Sequence, residues 1–263
     1  MSPLHALLEN LIDYAGLFPP SALPMARAVE NYQRYQQSAE AWMLGRFVVP
    51  VSRLDEFEAT LTGPAPLTSA LMGTDLDADL ARIARCPFPI DTIEMKAADA
   101  AQIESAMSRV PRHLTTYIEI ADVALIPVIQ AAGARAKIRT GGVTPEAFPP
   151  AAHIARFLEG CAANNTPFKA TAGLHHPLRC YRPLTYSADG PSGWMYGFLN
   201  VFIAAAVARK GEGPLEPVLM EETFDEHRLT IDDFVTTRRE FAISFGSCSF
   251  EEPIADLREL GLL

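Results

Sequence analysis

The chain has 263 residues, 49% hydrophobic and 21% charged, which is enough to bury one large core in a single globular domain. Its formal net charge of −10 excludes a general nucleic-acid binder, since such proteins present a basic face. The longest apolar run, from Phe198 to Ala208, is broken by Asn200 and is too short to span a bilayer.

Met1–Asn10 lacks the basic region and long apolar core of a signal peptide, so a cytoplasmic location is expected. The four cysteines (Cys86, Cys161, Cys180 and Cys248) are widely spaced with no CxxC pair and are expected to be reduced thiols. The 21 prolines are spread along the chain, and no low-complexity linker divides it.

In chain order, Leu11–Phe18 reads as a strand closed by Pro19-Pro20, and Met25–Gln37 as a helix. Gly45–Val51 is a second strand, with Ser52 the expected N-cap of a helix running through Leu61. Leu67–Gly73 and Asp75–Arg85 form the third strand and helix. Ile90–Lys96, a helix over Ala98–Arg109, Leu114–Ile120 and a helix over Asp122–Ala132 follow, with Gly133 as C-cap. Strands six and seven begin at Arg135 and Phe168, with a helix over Pro150–Ala163 between them. The rhythm then fails in an irregular insertion at about 176–192 that has the composition of a lid or a surface excursion. A long helix over Trp194–Arg209, a helical or irregular stretch, a helix over Ile231–Arg239, an eighth strand at Phe241–Ser247 and a closing helix over Pro253–Leu260 complete the chain.

Strand and helix alternating eight times predict an α/β chain folded as one (β/α)8 TIM barrel over residues 1–263. A doubly wound open sheet is the alternative. No strand is followed by GxGxxG or GxxxxGK[ST], so neither common nucleotide fingerprint is present. Four consecutive strands also carry charge at period two. An open sheet would bury those charges against helices on both faces, whereas a barrel points them inward near its mouth.

With that parity the inward set is Glu94 and Lys96, Tyr117 and Glu119, Lys137 and Arg139, Lys169 and Thr171. The same residues also fit a structural layer of ion pairs. Read chemically, a lysine among other cations in a partly desolvated pocket has a lowered pKa and attacks carbonyls to form a Schiff base. Glu119, Glu94 or Tyr117 would then move the proton at carbon. The same cations alternatively clamp a carboxylate, a phosphate or an enediolate. Gly141-Gly142 lets backbone N–H groups approach an anion. One of His175 and His176 is a candidate substrate donor or acid–base group. Asp13 in the first strand is a candidate to reach the pocket. No metal or cofactor is expected, because the HxH spacing of barrel metallohydrolases is missing. The aromatics Trp42, Trp194, Phe198 and Phe202 have core spacing, and Ser247-Cys248 forms no nucleophile elbow.

Lys137-Ile-Arg-Thr-Gly141 and Lys169-Ala-Thr-Ala-Gly173 resemble the two lysine strands of the deoxyribose-phosphate aldolase family, K-x-x-T-G and K-x-x-G-G. Ala172 stands where that family has the first of its two glycines. The resemblance implies a class I aldolase barrel in which Lys137 is the Schiff-base nucleophile and Lys169 the partner that lowers its pKa. It also makes Asp91 the formal counterpart of the family's acid–base aspartate. The expected activity is a cofactor-free lyase acting on a small anionic carbonyl compound, with a non-covalent barrel isomerase or lyase, or an anion binder, as alternatives. Barrels of this type often associate, so the chain is a candidate homo-oligomer.

Overall fold

The computed structural model describes residues 2–224 and 230–263. Its strands are short and apolar on alternate positions. They are β1 (Ile12–Tyr14), β2 (Leu44–Pro50), β3 (Thr68–Leu71), β4 (Thr92–Lys96), β5 (Thr115–Glu119), β6 (Arg135–Arg139) and β7 (Phe168–Thr171). An antiparallel hairpin, β8 (Cys180–Pro183) and β9 (Ser192–Met195), precedes the last barrel strand, β10 (Ala242–Ser247). The parallel strands close in the order β1-β10-β7-β6-β5-β4-β3-β2, an eight-stranded α/β barrel.

Period two sorts the side chains. Ile93, Ile118, Ala136, Ile138, Phe168, Ala170 and Phe245 point outward and are buried under the helices. Phe168 packs edge-on against Phe157 and Phe241 at ring separations of 5.5 and 5.3 Å. Burial of side chains of this size stabilises the shell by about 1.5–3 kcal/mol each. The helix Phe198–Lys210 is buried from Phe198 through Val207 because neighbouring helices cover its outer face, and it ends on Gly211 at φ 70°.

Several sequence expectations shift. The first strand is three residues long, since the chain turns away at Ala15 and Phe18 N–H bonds Ala15 C=O. Ser52 is not a cap: Val51–Arg53 winds as a 3-10 turn, and the following helix starts at Leu54 without a side-chain cap. Gly133 does follow its helix in the left-handed conformation, at φ 72°. The insertion after β7 is partly regular, because β8 and β9 pair across it, and the long helix therefore starts at Phe198 rather than Trp194. Trp194 is an exposed hairpin residue, not core, and the Arg179 guanidinium lies 3.7 Å from its ring centroid. Between the long helix and Ile231 lies a short helix, Leu215–Leu219, while residues 225–229 fall outside the described residues. Among the described residues no helix is long and apolar enough to cross a membrane.

Candidate active site

Strand register assembles the site. Lys96 pairs with Glu119, Glu119 with Lys137, Lys137 with Lys169, and Lys169 with Ser244, so one row crosses five strands. All share inward parity. A cavity of about 320 Å³ opens above this row at the C-terminal ends of the strands, where barrels place their chemistry. Its wall includes Glu94, Lys96, Glu119, Lys137, Arg139, Lys169 and Thr171.

The floor is a chain of alternating charges. Lys169 Nζ donates to Asp13 Oδ2 and Glu94 Oε1, both at 2.6 Å. Lys137 Nζ lies 2.8 Å from Glu94 Oε2 and 3.1 Å from Glu119 Oε2. Arg139 Nε donates to Glu119 Oε1 at 3.2 Å, and Lys96 Nζ stands 3.7 Å from that oxygen. Asp13 also accepts from Ser244 Oγ at 2.7 Å and from the backbone N–H of Arg46 at 2.8 Å. Ser69 Oγ donates to Glu94 Oε1 at 2.7 Å. Three carboxylates thus face four cations, leaving one net positive charge toward the cavity.

The electrostatics follow from burial set against pairing. Burial alone would push Glu94 up, but Lys137 and Lys169 outweigh it and hold the carboxyl well below the usual range. Glu119 shows the same balance, with burial opposed by Lys137, Arg139 and Lys96, and is also lowered. For Lys169, burial favours the neutral amine, yet Asp13 and Glu94 outweigh it and raise the ammonium above the ordinary lysine range. For Lys169 this corrects the expectation that neighbouring cations depress the lysine, because carboxylates from β1 and β4 stand against its ammonium. Glu119 Oε2 is the exception to full pairing. It is within ion-pair distance of Lys137 but off hydrogen-bonding geometry, so it is buried with a lone pair unfilled.

Four of the residues expected to contact substrate lie off the cavity wall. Asp13 sits behind Lys169 and acts on it, not on the cavity. Tyr117 lies one layer deeper, where it accepts from Arg135 at 3.1 Å and turns its ring toward Lys169 Nζ at 5.4 Å. Gly141 packs under Phe148, where an added Cβ would stand 2.4 Å from the ring, so close packing explains this glycine and not an anion cradle. Gly142 does reach the wall. His176 turns away to Asp256, with Nδ1 at 2.5 Å from Oδ2, while His175 lines the cavity with Nδ1 at 2.8 Å from Glu252 Oε2. Asp91 pairs with Arg46 at 2.6 Å below the barrel, well away from the cavity.

Other residues of the site had no place in the sequence expectation. Ser69 and Ser244 share inward parity with their strands, and that alternation was the available signal. Cys248 follows β10 and lines the cavity, as do Phe18, Pro19 and Pro20 from the loop after β1. Among the described residues no group of three or more His, Cys, Asp or Glu converges as a metal site.

The fold and the site together define a (β/α)8 barrel with a lysine–carboxylate floor. A scan against protein-family models and a search of the curated proteins each find no match to this chain.

Proposed function

We propose that the protein is a lyase of the class I aldolase type, acting on a small anionic carbonyl compound through a Schiff base on Lys137. The carrying observation is the asymmetry between the two register-paired lysines. Lys169 is held as an ammonium by two carboxylates, Asp13 behind it and Glu94 beside it. Lys137 faces the cavity with the unfilled lone pair of Glu119 Oε2 beside it.

In the reaction, Glu119 takes a proton from Lys137 and so frees the amine as the nucleophile. The amine adds to the carbonyl carbon, and the hydroxyl leaves as water with the proton that Glu119 returns. The iminium then takes up the electron pair of the Cα–Cβ bond as Glu119 accepts the β-hydroxyl proton, so an aldehyde departs and an enamine remains. Glu119 protonates the enamine at Cα, and water hydrolyses the resulting imine to free Lys137. Lys96 and Arg139 at the rim hold the acid group of the substrate. Both now face Glu119 Oε1, so an anion that draws them away raises the basicity of Glu119 at the moment it is needed.

Borohydride trapping tests this. The protein is incubated with small aldehydes, keto acids and ketose phosphates, reduced, and mapped by mass spectrometry. A single adduct on Lys137, absent in Lys137→Ala, is expected. Substantial turnover in Lys137→Arg, which keeps charge but forms no imine, would overturn it.

A second reading rests on the fixed charge of Lys169: the two lysines stabilise an enediolate without covalent chemistry. Retained turnover in Lys137→Arg is the result that reading requires.

A further inference from the structure

The cavity has a second wall that the lysine chemistry does not use. Cys248, immediately after β10, places Sγ 3.8 Å from His175 Nε2, and the other ring nitrogen of His175 lies 2.8 Å from Glu252 Oε2. Glu252 is fixed in turn by Tyr186, whose hydroxyl donates to the same oxygen at 2.8 Å. Ser21 Oγ donates to the Cys248 backbone carbonyl at 3.1 Å, holding the loop after β10. The three groups stand in series, because His175 spends one nitrogen on each neighbour. A convergent metal cage would instead aim them at one point.

We infer that Cys248, His175 and Glu252 are the nucleophile, base and orienting group of a second reactive centre in the cavity, one that adds reversibly to the carbonyl carbon of a small aldehyde. A nucleophile within reach of a base that a third group orients is the arrangement such addition needs. Cys248 and His175 both line the cavity, so a ligand carbonyl can reach them. The electrostatics agree with the geometry. Burial works against charging either group, yet Cys248 and Glu252 push His175 up to about 10, and His175 lowers the Cys248 thiol. The other ionisable groups facing the pair are Tyr186 from the hairpin, Tyr14 from β1 and His176 beside Asp256. The cation that acts on Cys248 is His175.

In the step, the thiolate sulfur forms the new S–C bond, and the C=O π pair moves onto oxygen. The His175 imidazolium gives its proton to that oxygen. The product is a thiohemiacetal, with no leaving group and no change of oxidation state, and the reverse step regenerates both groups. This centre does not depend on an imine at Lys137.

The test is alkylation by iodoacetamide, mapped by mass spectrometry across pH, with Cys180 as the internal reference. An ordinary thiol is almost wholly protonated at pH 6. A paired thiolate is largely ionised but intrinsically less nucleophilic, so Cys248 should react about tenfold faster at pH 6 than the same residue in His175→Gln. Glu252→Gln, on the half-buried helix face, should lose part of that advantage without removing a core group. Millimolar acetaldehyde should protect Cys248, and still do so in Lys137→Ala. Borohydride reduces imines but not thiohemiacetals, so the two adducts are told apart in one sample. A Cys248 pH profile unchanged in both His175→Gln and Glu252→Gln, or no protection by acetaldehyde, overturns the inference.

Discussion

Lys137 and Lys169 are register partners on β6 and β7, and Glu94 sets one carboxylate oxygen against each ammonium, at 2.8 and 2.6 Å. Two cations one strand spacing apart, both buried, repel strongly unless a counter-charge stands between them. Glu94→Gln keeps the shape and removes that charge. Breaking a buried pair costs about 3–5 kcal/mol, because the partner is left uncompensated. The urea midpoint should fall accordingly with an unchanged denaturant slope. A loss within about 1 kcal/mol would mean that the lysines do not both carry charge in the folded protein.

Asp13 and Lys169 join β1 and β7 across the intervening β10, 156 positions apart in sequence. Asp13→Asn alone removes one of the two carboxylates on that ammonium, and Lys169→Met alone leaves Asp13 without its cation and Glu94 with Lys137 only. The double variant relieves part of the second penalty, so a double-mutant cycle should give a favourable coupling of about 0.5–3 kcal/mol. Additive losses would show that Ser244 and the Arg46 N–H satisfy Asp13 without the lysine.

Stability should vary with pH in a direction set by the same groups. The carboxyls of Glu94 and Glu119 are held low in the folded state. Their contribution is therefore full above the unfolded carboxyl value of about 4.3 and is lost as pH falls through the folded values. Lys169 is raised, so its contribution is full below about 10.4 and is lost as pH rises through its higher folded value. The cluster thus gives a plateau with an acid and an alkaline limb. Glu119→Gln should flatten the acid limb in a melting-temperature series, and an acid limb as steep as that of the native chain would refute the assignment.

Parity made much of this floor legible. Glu94, Glu119, Lys137, Arg139 and Lys169 alternate with apolar residues, and a slip of one position would have driven five charges into the helices. What escaped was set by closure and not by local pattern. Asp13 meets Lys169, and Glu252 meets His175, only after the barrel closes and the last helix folds back. For that reason the sign of the lysine shift was also hidden, since it depends on carboxylates from β1 and β4. Trp194, Phe198 and Phe202 repeat at helical spacing, yet pairing of Trp194 with Tyr181 across the hairpin outweighs that spacing.

The turn after β7 offers the last test. Ala172 and Gly173 both adopt left-handed φ, at 64° and 76°, and an added Cβ at Gly173 would lie 2.8 Å from the Gly141 Cα. Backbone cannot yield as a flexible side chain does. Gly173→Ala should therefore cost about 1–3 kcal/mol from overpacking, with a further ~1 kcal/mol from the left-handed φ. The shift would separate the ends of β6 and β7 and so move Lys137 relative to Lys169. Ala172→Gly relieves a left-handed alanine and should leave stability unchanged or raise it by up to about 1 kcal/mol. Thermal unfolding of both variants decides the matter: opposite signs support the close approach of the two strand ends, whereas equal losses would trace the effect to the loop itself.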